Sequence, residues 1–377
     1  MTTDASPPDK LLFTPGPLTT SATVKRAMLR DAGSWHFEFN DLVRSVRERL
    51  LALAGVSQDG GYEAVLMQGS GTFGVEAAIT SAVPRDGKLL AIVNGAYGER
   101  IVAMARQAGI ATEVLRYAED TPPEASDVAH ALDGDATISD VAVVHCETTT
   151  GILNPIASIG CAVKERGRRY IVDAMSSFGG IPIDVAQTGI DYLVSSANKC
   201  IEGVPGFSFV IARRSALEAA EGHARSLSLD LVAQWRGFEK NGQFRFTPPT
   251  HALLAFDQAL RELDEEGGIE ARGARYRRNH AVLIEGMRAL GFRPYLRPEV
   301  QSYIITAFHY PRHPSFDFDA FYRKLSEREM IIYPGKLTEV ACFRIGTIGH
   351  LFEDDIRRLL DAVRATLAEL GCEPIDG

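Results

Sequence analysis

The sequence predicts an α/β protein whose large layered domain is built on a mainly parallel sheet, followed by a smaller α+β unit. Three observations predict it. Short apolar runs alternate with helical patterns through the first two thirds of the chain, as strands and crossover helices do in parallel sheets. Three chemically distinctive segments follow such runs, where open parallel sheets place their ligands. After residue 250 the pattern changes to two long helices and then mixed short elements.

The predicted strands of the large unit cover residues 63–68, 88–93, 112–116, 140–146, 169–173, 191–196 and 206–212, seven in all. Each is a short apolar run of the kind a sheet covered on both faces requires. Helical periodicity fills 73–83, 97–108 and 156–165 between them, and an amphipathic stretch over 41–54 precedes them. Beyond 250, helices are predicted over 251–265 and 269–290, the second long enough to bridge two units. Strands over 303–308, 330–333 and 342–345 and helices over 319–327 and 353–370 complete the smaller one. The arginines of the bridging helix (Arg272, Arg275, Arg277 and Arg278) read as a solvated helix face beside Glu270.

Composition bounds the function classes. The chain has 377 residues, 45% hydrophobic and 24% charged, with a net charge of −9. The acidic balance argues against nucleic acid as the main partner, and a few local cations suffice for a small anion. No run approaches the ~20 apolar residues of a membrane span, and the polar start has no apolar signal core. The five cysteines are dispersed, odd in number and without a C-x-x-C pair. A disulfide framework or metal site is therefore not expected, and a cytoplasmic setting is.

The first chemical segment is Gln68-Gly69-Ser70-Gly71-Thr72-Phe73-Gly74. It links a strand to a helix, so backbone N–H groups and the positive helix end converge where a phosphate can rest. A plain tight turn is the alternative. The glycines also satisfy G-x-G-x-x-G, but a dinucleotide site wants an acid at the end of the next strand. That strand ends in Asn94, and Asp86 precedes it. In the second segment a strand delivers Asp173 at its C-terminal end, with no histidine or second acid beside it to complete a metal set. The third places Lys199 after a strand, among Ser195, Ser196, Asn198 and a glycine-punctuated turn. Partial dehydration there would lower the amine's pKa and make it a nucleophile. A phosphate cup, a carboxylate for a pyridinium nitrogen and a lysine for an aldehyde together fit pyridoxal 5'-phosphate.

The chain also resembles the class V aminotransferases. The likeness rests on residues 11–20, Glu147-Thr148-Thr149-Thr150-Gly151-Ile152-Leu153-Asn154-Pro155, and residues 172–183, 195–207, 226–231 and 342–349. The resemblance implies the fold type I, aspartate-aminotransferase-like fold, with a large domain over 20–265 and a small one over 1–19 and 266–377. It implies that Lys199 joins the cofactor aldehyde and shuttles a proton, and that Asp173 pairs with the ring nitrogen. Ser70, Gly71 and Thr72 would cradle the phosphate with Asn198 close by. Tyr97 would stack on the ring, Thr148 would touch its edge, and Gly16 would lie beside the substrate. Arg344 matches the residue that anchors substrate anions. Thr247 matches a residue that reaches the phosphate of the neighbouring subunit, which implies a homodimer with shared sites; a helix N-cap at Thr247 or Thr250 stands beside that reading.

The implied activity passes the amino group of 2-aminoethylphosphonate to pyruvate, giving phosphonoacetaldehyde and L-alanine in phosphonate breakdown. The alternative within the family is serine or alanine with glyoxylate. One departure stands out: the family pattern carries an acid after the tryptophan of Gly33-Ser34-Trp35, and here the residue is His36. If this segment lines the site, substrate preference differs; otherwise His36 is a surface residue.

Overall fold

The computed structural model describes residues 9–335, 337 and 340–372; the remainder of the predicted small domain's two ends, 1–8 and 373–377, lies outside the described residues. Seven strands form the main sheet: β1 (Tyr62–Gln68), β2 (Lys88–Val93), β3 (Ala111–Arg116), β4 (Ile138–Val144), β5 (Arg169–Asp173), β6 (Tyr192–Ser196) and β7 (Phe207–Arg213). Their spatial order is β1-β7-β6-β5-β4-β2-β3. The pairs from β6 through β3 are parallel, while β7 runs antiparallel to both β6 and β1. Side chains on both faces of β1, β4, β6 and β7 are buried almost without interruption, which explains why these strands read as apolar runs. The edge strand β3 is half exposed and carries Glu113 and Arg116, charges that discourage pairing with another chain.

Helices Gly71–Ala82, Ala96–Gln107 and Ile156–Glu165 return the chain between parallel strands and pack on the sheet. Because every crossover leaves from a strand's C-terminal end, the Ser70 turn, Asp173 and Lys199 are gathered at one edge of the sheet.

A second apolar core lies around a three-stranded antiparallel sheet of Ile305–His309, Cys342–Gly346 and Tyr333–Pro334. Phe292, Phe308, Phe321 and Phe343 fill it, with Phe343 at the centre of the ring contacts. Helices Gly268–Ala289, Phe318–Glu327 and Glu353–Glu369 cover it. The strand expected over 330–333 is split. Met330–Ile331 pairs in parallel with Leu11–Leu12, and Tyr333–Pro334 turns to the other sheet. The strand expected over 140–146 ends at Val144, and Cys146–Glu147 pairs separately with Ile152–Leu153.

The bridging helix corrects one expectation. Arg272 and Arg275 are buried, not solvated. Arg275 pairs with Glu202 at 2.8 Å and with Glu266 at 2.7 Å, and Arg272 pairs with Glu266 and donates to the carbonyl of Cys200 at 2.8 Å. Tyr276 donates to the Glu202 carboxylate at 2.6 Å. Buried guanidiniums need such partners. Their partner Glu202 sits three residues beyond Lys199 with φ at +68°, so the network fastens the lysine turn to the bridging helix.

Candidate active site

A cavity with about 680 Å³ of empty space opens at the C-terminal edge of the sheet, and Ser70, Tyr97, Asp173, Asn198 and Lys199 are among its lining residues. Each arrives for a local reason. Ser70 ends the turn after β1 and is the N-cap of Gly71–Ala82, yet its side chain makes no capping bond. The first N–H groups of that helix have no intrahelical acceptor, so hydroxyls and N–H groups of Ser70, Gly71 and Thr72 are available to an anion in the cavity.

Asp173 is the last residue of β5. Its carbonyl accepts from the backbone N–H of His145 at 2.8 Å, and its carboxylate accepts from the N–H of Met175 at 2.9 Å. Burial raises the carboxyl from 3.8 to about 6. Lys199 donates from Nζ to the carbonyl of Pro15 at 2.7 Å, and burial lowers the amine from 10.5 to about 8. The acid and the amine line the same cavity, and each perturbs the other's titration. Gly16 closes the wall over them: it has φ at +117°, and a Cβ there would lie 2.8 Å from Lys199 Nζ. Only glycine combines that backbone with so close an approach.

Tyr97 opens the helix Ala96–Gln107 and is held there by a cap the sequence reading did not single out. Glu147 is fully buried and accepts from the N–H groups of Tyr97 at 3.3 Å and Gly98 at 3.2 Å, and from the hydroxyl of Thr149 at 2.6 Å. Gly95 leaves room for this carboxylate, since a Cβ would meet Glu147 Cγ at 2.3 Å. One turn further along the same helix, Arg100 also lines the cavity. The i, i+3 spacing from Tyr97 was its one signal in the sequence.

The other expected residues lie around this space. Asn198 lines it, and its side-chain oxygen accepts from the hydroxyl of Ser196 at 3.1 Å. Thr148 is buried outside the lining, its hydroxyl 2.6 Å from that of Ser176. Its carbonyl accepts from Arg344 at 2.8 Å, and the carbonyl of Pro334 accepts from the same guanidinium at 3.0 Å. Arg344 lies outside the lining as well, buried and seated over the Tyr333 ring, close enough to act electrostatically on Lys199 and Tyr97. Thr247 is exposed and does not line the cavity. The helix that follows it begins at Thr250 with Pro249 as its cap residue and no side-chain capping bond, so neither threonine acts as an N-cap. His36 is half exposed and lines a separate small recess, which makes it a surface residue with respect to this chain's own cavity.

The description of class V aminotransferases fits residues 20–342. The chain belongs to the class V aminotransferase family. Among its relatives is a protein of Syntrophobacter fumaroxidans, 54% identical over 362 residues that cover 96% of this chain and 97% of that one; it is named 2-aminoethylphosphonate–pyruvate transaminase. Proteins with the same name from Vibrio vulnificus and Salmonella typhimurium are 53% and 54% identical over 95% of this chain and 97% of theirs. Ureidoglycine–glyoxylate aminotransferase from Bacillus subtilis shares the fold with a TM-score of 0.90 at 22% identity, covering 98% of this chain and 96% of its own. Alanine–glyoxylate aminotransferase from Nostoc superposes with a TM-score of 0.86 at 25% identity, covering 97% of both chains.

Membership in this class V family implies pyridoxal 5'-phosphate as the cofactor. The residues present fit it. A dehydrated amine and a buried acid face one cavity beside an uncapped helix start, and these are the three groups that the aldehyde, ring nitrogen and phosphate require.

Proposed function

We propose that this class V aminotransferase moves the amino group of 2-aminoethylphosphonate to pyruvate, releasing phosphonoacetaldehyde and L-alanine. The observation that carries the reading is the group of relatives bearing that activity in their names at above 50% identity over nearly the whole of both chains. When bound, pyridoxal phosphate supplies an aldehyde that takes up the amino group and a ring that accepts electrons.

Lys199 holds the aldehyde carbon and moves the proton at the substrate carbon. Its lowered pKa supports this, because an amine near 8 is partly unprotonated at neutral pH. Asp173 keeps the ring nitrogen protonated. Ser70, Gly71 and Thr72 hold the phosphate with Asn198 beside them, and Tyr97 packs against the ring. Gly16 presses the lysine into place from the substrate side. Thr148 serves through its carbonyl, which orients Arg344, because its hydroxyl is committed to Ser176. Arg344 then offers a planar fork that suits a phosphonate in one half-reaction and a carboxylate in the other.

The enzyme works as a homodimer in the cytoplasm, with Thr247 reaching the partner's phosphate site. Leu29, Trp35, Phe37, Phe73, Leu227 and Phe246 are exposed, and large apolar side chains left at a surface support the dimer reading. Bonds from Gln68 to the carbonyl of Phe246, from Gln243 to Asn40 and from Arg245 to the carbonyl of Leu227 tie their segments together. We also assign residues 20–265 to the large domain and 266–377, with the first 19 residues, to the small one.

The test is the half-reaction followed by cofactor absorbance. The loaded enzyme should bleach on adding 2-aminoethylphosphonate and recover its colour on adding pyruvate. Bleaching by L-serine with none by the phosphonate would overturn the reading.

A further inference from the structure

We propose that Arg100 is an anion anchor of this site, pairing its guanidinium with a tetrahedral phosphorus dianion held in the cavity. The inference rests on the function proposed above. Arg100 Nη1 donates to Thr72 Oγ1 at 3.2 Å, and its guanidinium carbon lies 4.7 Å from the Tyr97 ring centre. It therefore stands between the hydroxyl that ends the phosphate cup and the ring that walls the cavity. Among the described residues no carboxylate lies within ion-pair distance of it.

That sets it apart from four other inward-facing arginines. Arg47 pairs with Glu63, Arg169 with Asp140, and Arg272 and Arg275 with Glu202 and Glu266. Arg344 is the counterpart of Arg100, held by two carbonyls and also without a carboxylate among the described residues. Of the two acids nearby, Glu147 spends both carboxylate oxygens on N–H and hydroxyl donors, and Asp173 is reserved for the ring nitrogen. Two guanidiniums without a carboxylate partner among the described residues are costly in a recess unless anions arrive to meet them. The flat fork of a guanidinium matches an O–P–O edge with two charge-assisted bonds. Two ligands of this reaction carry such a group, the cofactor with its phosphate and the donor with its phosphonate.

The experiment compares wild type with Arg100→Gln, which keeps a planar amide and removes the charge. Binding of pyridoxal phosphate and of pyridoxal to the full chain is measured by fluorescence. The half-reactions with 2-aminoethylphosphonate and with L-alanine are measured by absorbance. A loss of about 10- to 100-fold in pyridoxal phosphate affinity, with pyridoxal unchanged, supports the inference and assigns the cofactor phosphate. Unchanged cofactor binding, with the half-saturating phosphonate concentration raised by a similar factor and L-alanine unaffected, supports it and assigns the substrate. Equal weakening of pyridoxal phosphate and pyridoxal overturns it, because the arginine would then act only by packing Tyr97. Wild-type values throughout overturn it too. Arg100→Lys, which retains the charge without the fork, should fall between wild type and Arg100→Gln, and it carries the same comparisons if the glutamine variant does not fold. A wild-type enzyme that ignores 2-aminoethylphosphonate would defeat the proposed function, a result separate from any effect at Arg100.

Discussion

Replacing Gly16 with alanine tests whether the lysine's position, and not merely its presence, makes the site. The added Cβ would lie 2.8 Å from Lys199 Nζ, 2.9 Å from Lys199 Cδ and 2.8 Å from the carbonyl oxygen of Asn198. Ordinary contacts begin near 3.4 Å, so the lysine must shift by about half an ångström or more. Misplacing a reacting group by about 1 Å costs up to ~100-fold in rate, and we expect single-turnover amine transfer to slow by about 10- to 100-fold. The backbone at φ +117° adds a strain of about 1–3 kcal/mol for a residue with a Cβ, which a denaturant titration would read as lost stability. Gly55→Ala is the control. Gly55 also has positive φ, at +69°, but nothing lies within 4 Å of its added Cβ, so it should lose stability and keep its rate. A folded Gly16→Ala enzyme within twofold of the wild-type rate would refute the reasoning.

Asp173→Asn should stabilise the cofactor-free protein while lowering turnover by about 10²- to 10³-fold. The folded carboxyl is raised from 3.8 to about 6, so its ionised form carries a penalty that is absent below about pH 4 and full above about pH 6, at most about 3 kcal/mol. Melting curves across that window should show the gain of the asparagine variant growing with pH; a constant difference would contradict the burial argument. Arg344→Ala should raise the half-saturating concentrations of both the phosphonate and pyruvate by about 10- to 100-fold, and initial-rate kinetics with one substrate unaffected would count against a shared anchor. Arg275→Leu leaves Glu202 and Glu266 short of a buried partner, and the unfolding free energy should fall by about 3–5 kcal/mol in chemical denaturation.

The strands of the large sheet other than β3 were readable in the sequence because a sheet covered on both faces demands uninterrupted apolar runs, and β1, β5 and β6 end in the segments that line the cavity. That Ser70, Asp173 and Lys199 meet at one cavity was readable for the same reason, since strand ends fix their place. Arg272 and Arg275 were misread because Glu202, one of their two partners, is distant in sequence, and only the packed bridging helix brings those charges together. The split of Met330–Ile331 from Tyr333–Pro334 was hidden too, because it depends on pairing with Leu11–Leu12 at the far end of the chain. Glu147 gave no signal as a cap: its work depends on a close approach to Gly95 that only the fold creates.

The central claim is that Lys199 is the amine that takes hold of the cofactor. Reduction of the loaded enzyme with borohydride, followed by peptide mapping, tests it directly. The account predicts a phosphopyridoxyl label on the peptide carrying Lys199 and none on the same peptide from Lys199→Ala. A label confined to any other lysine would contradict it.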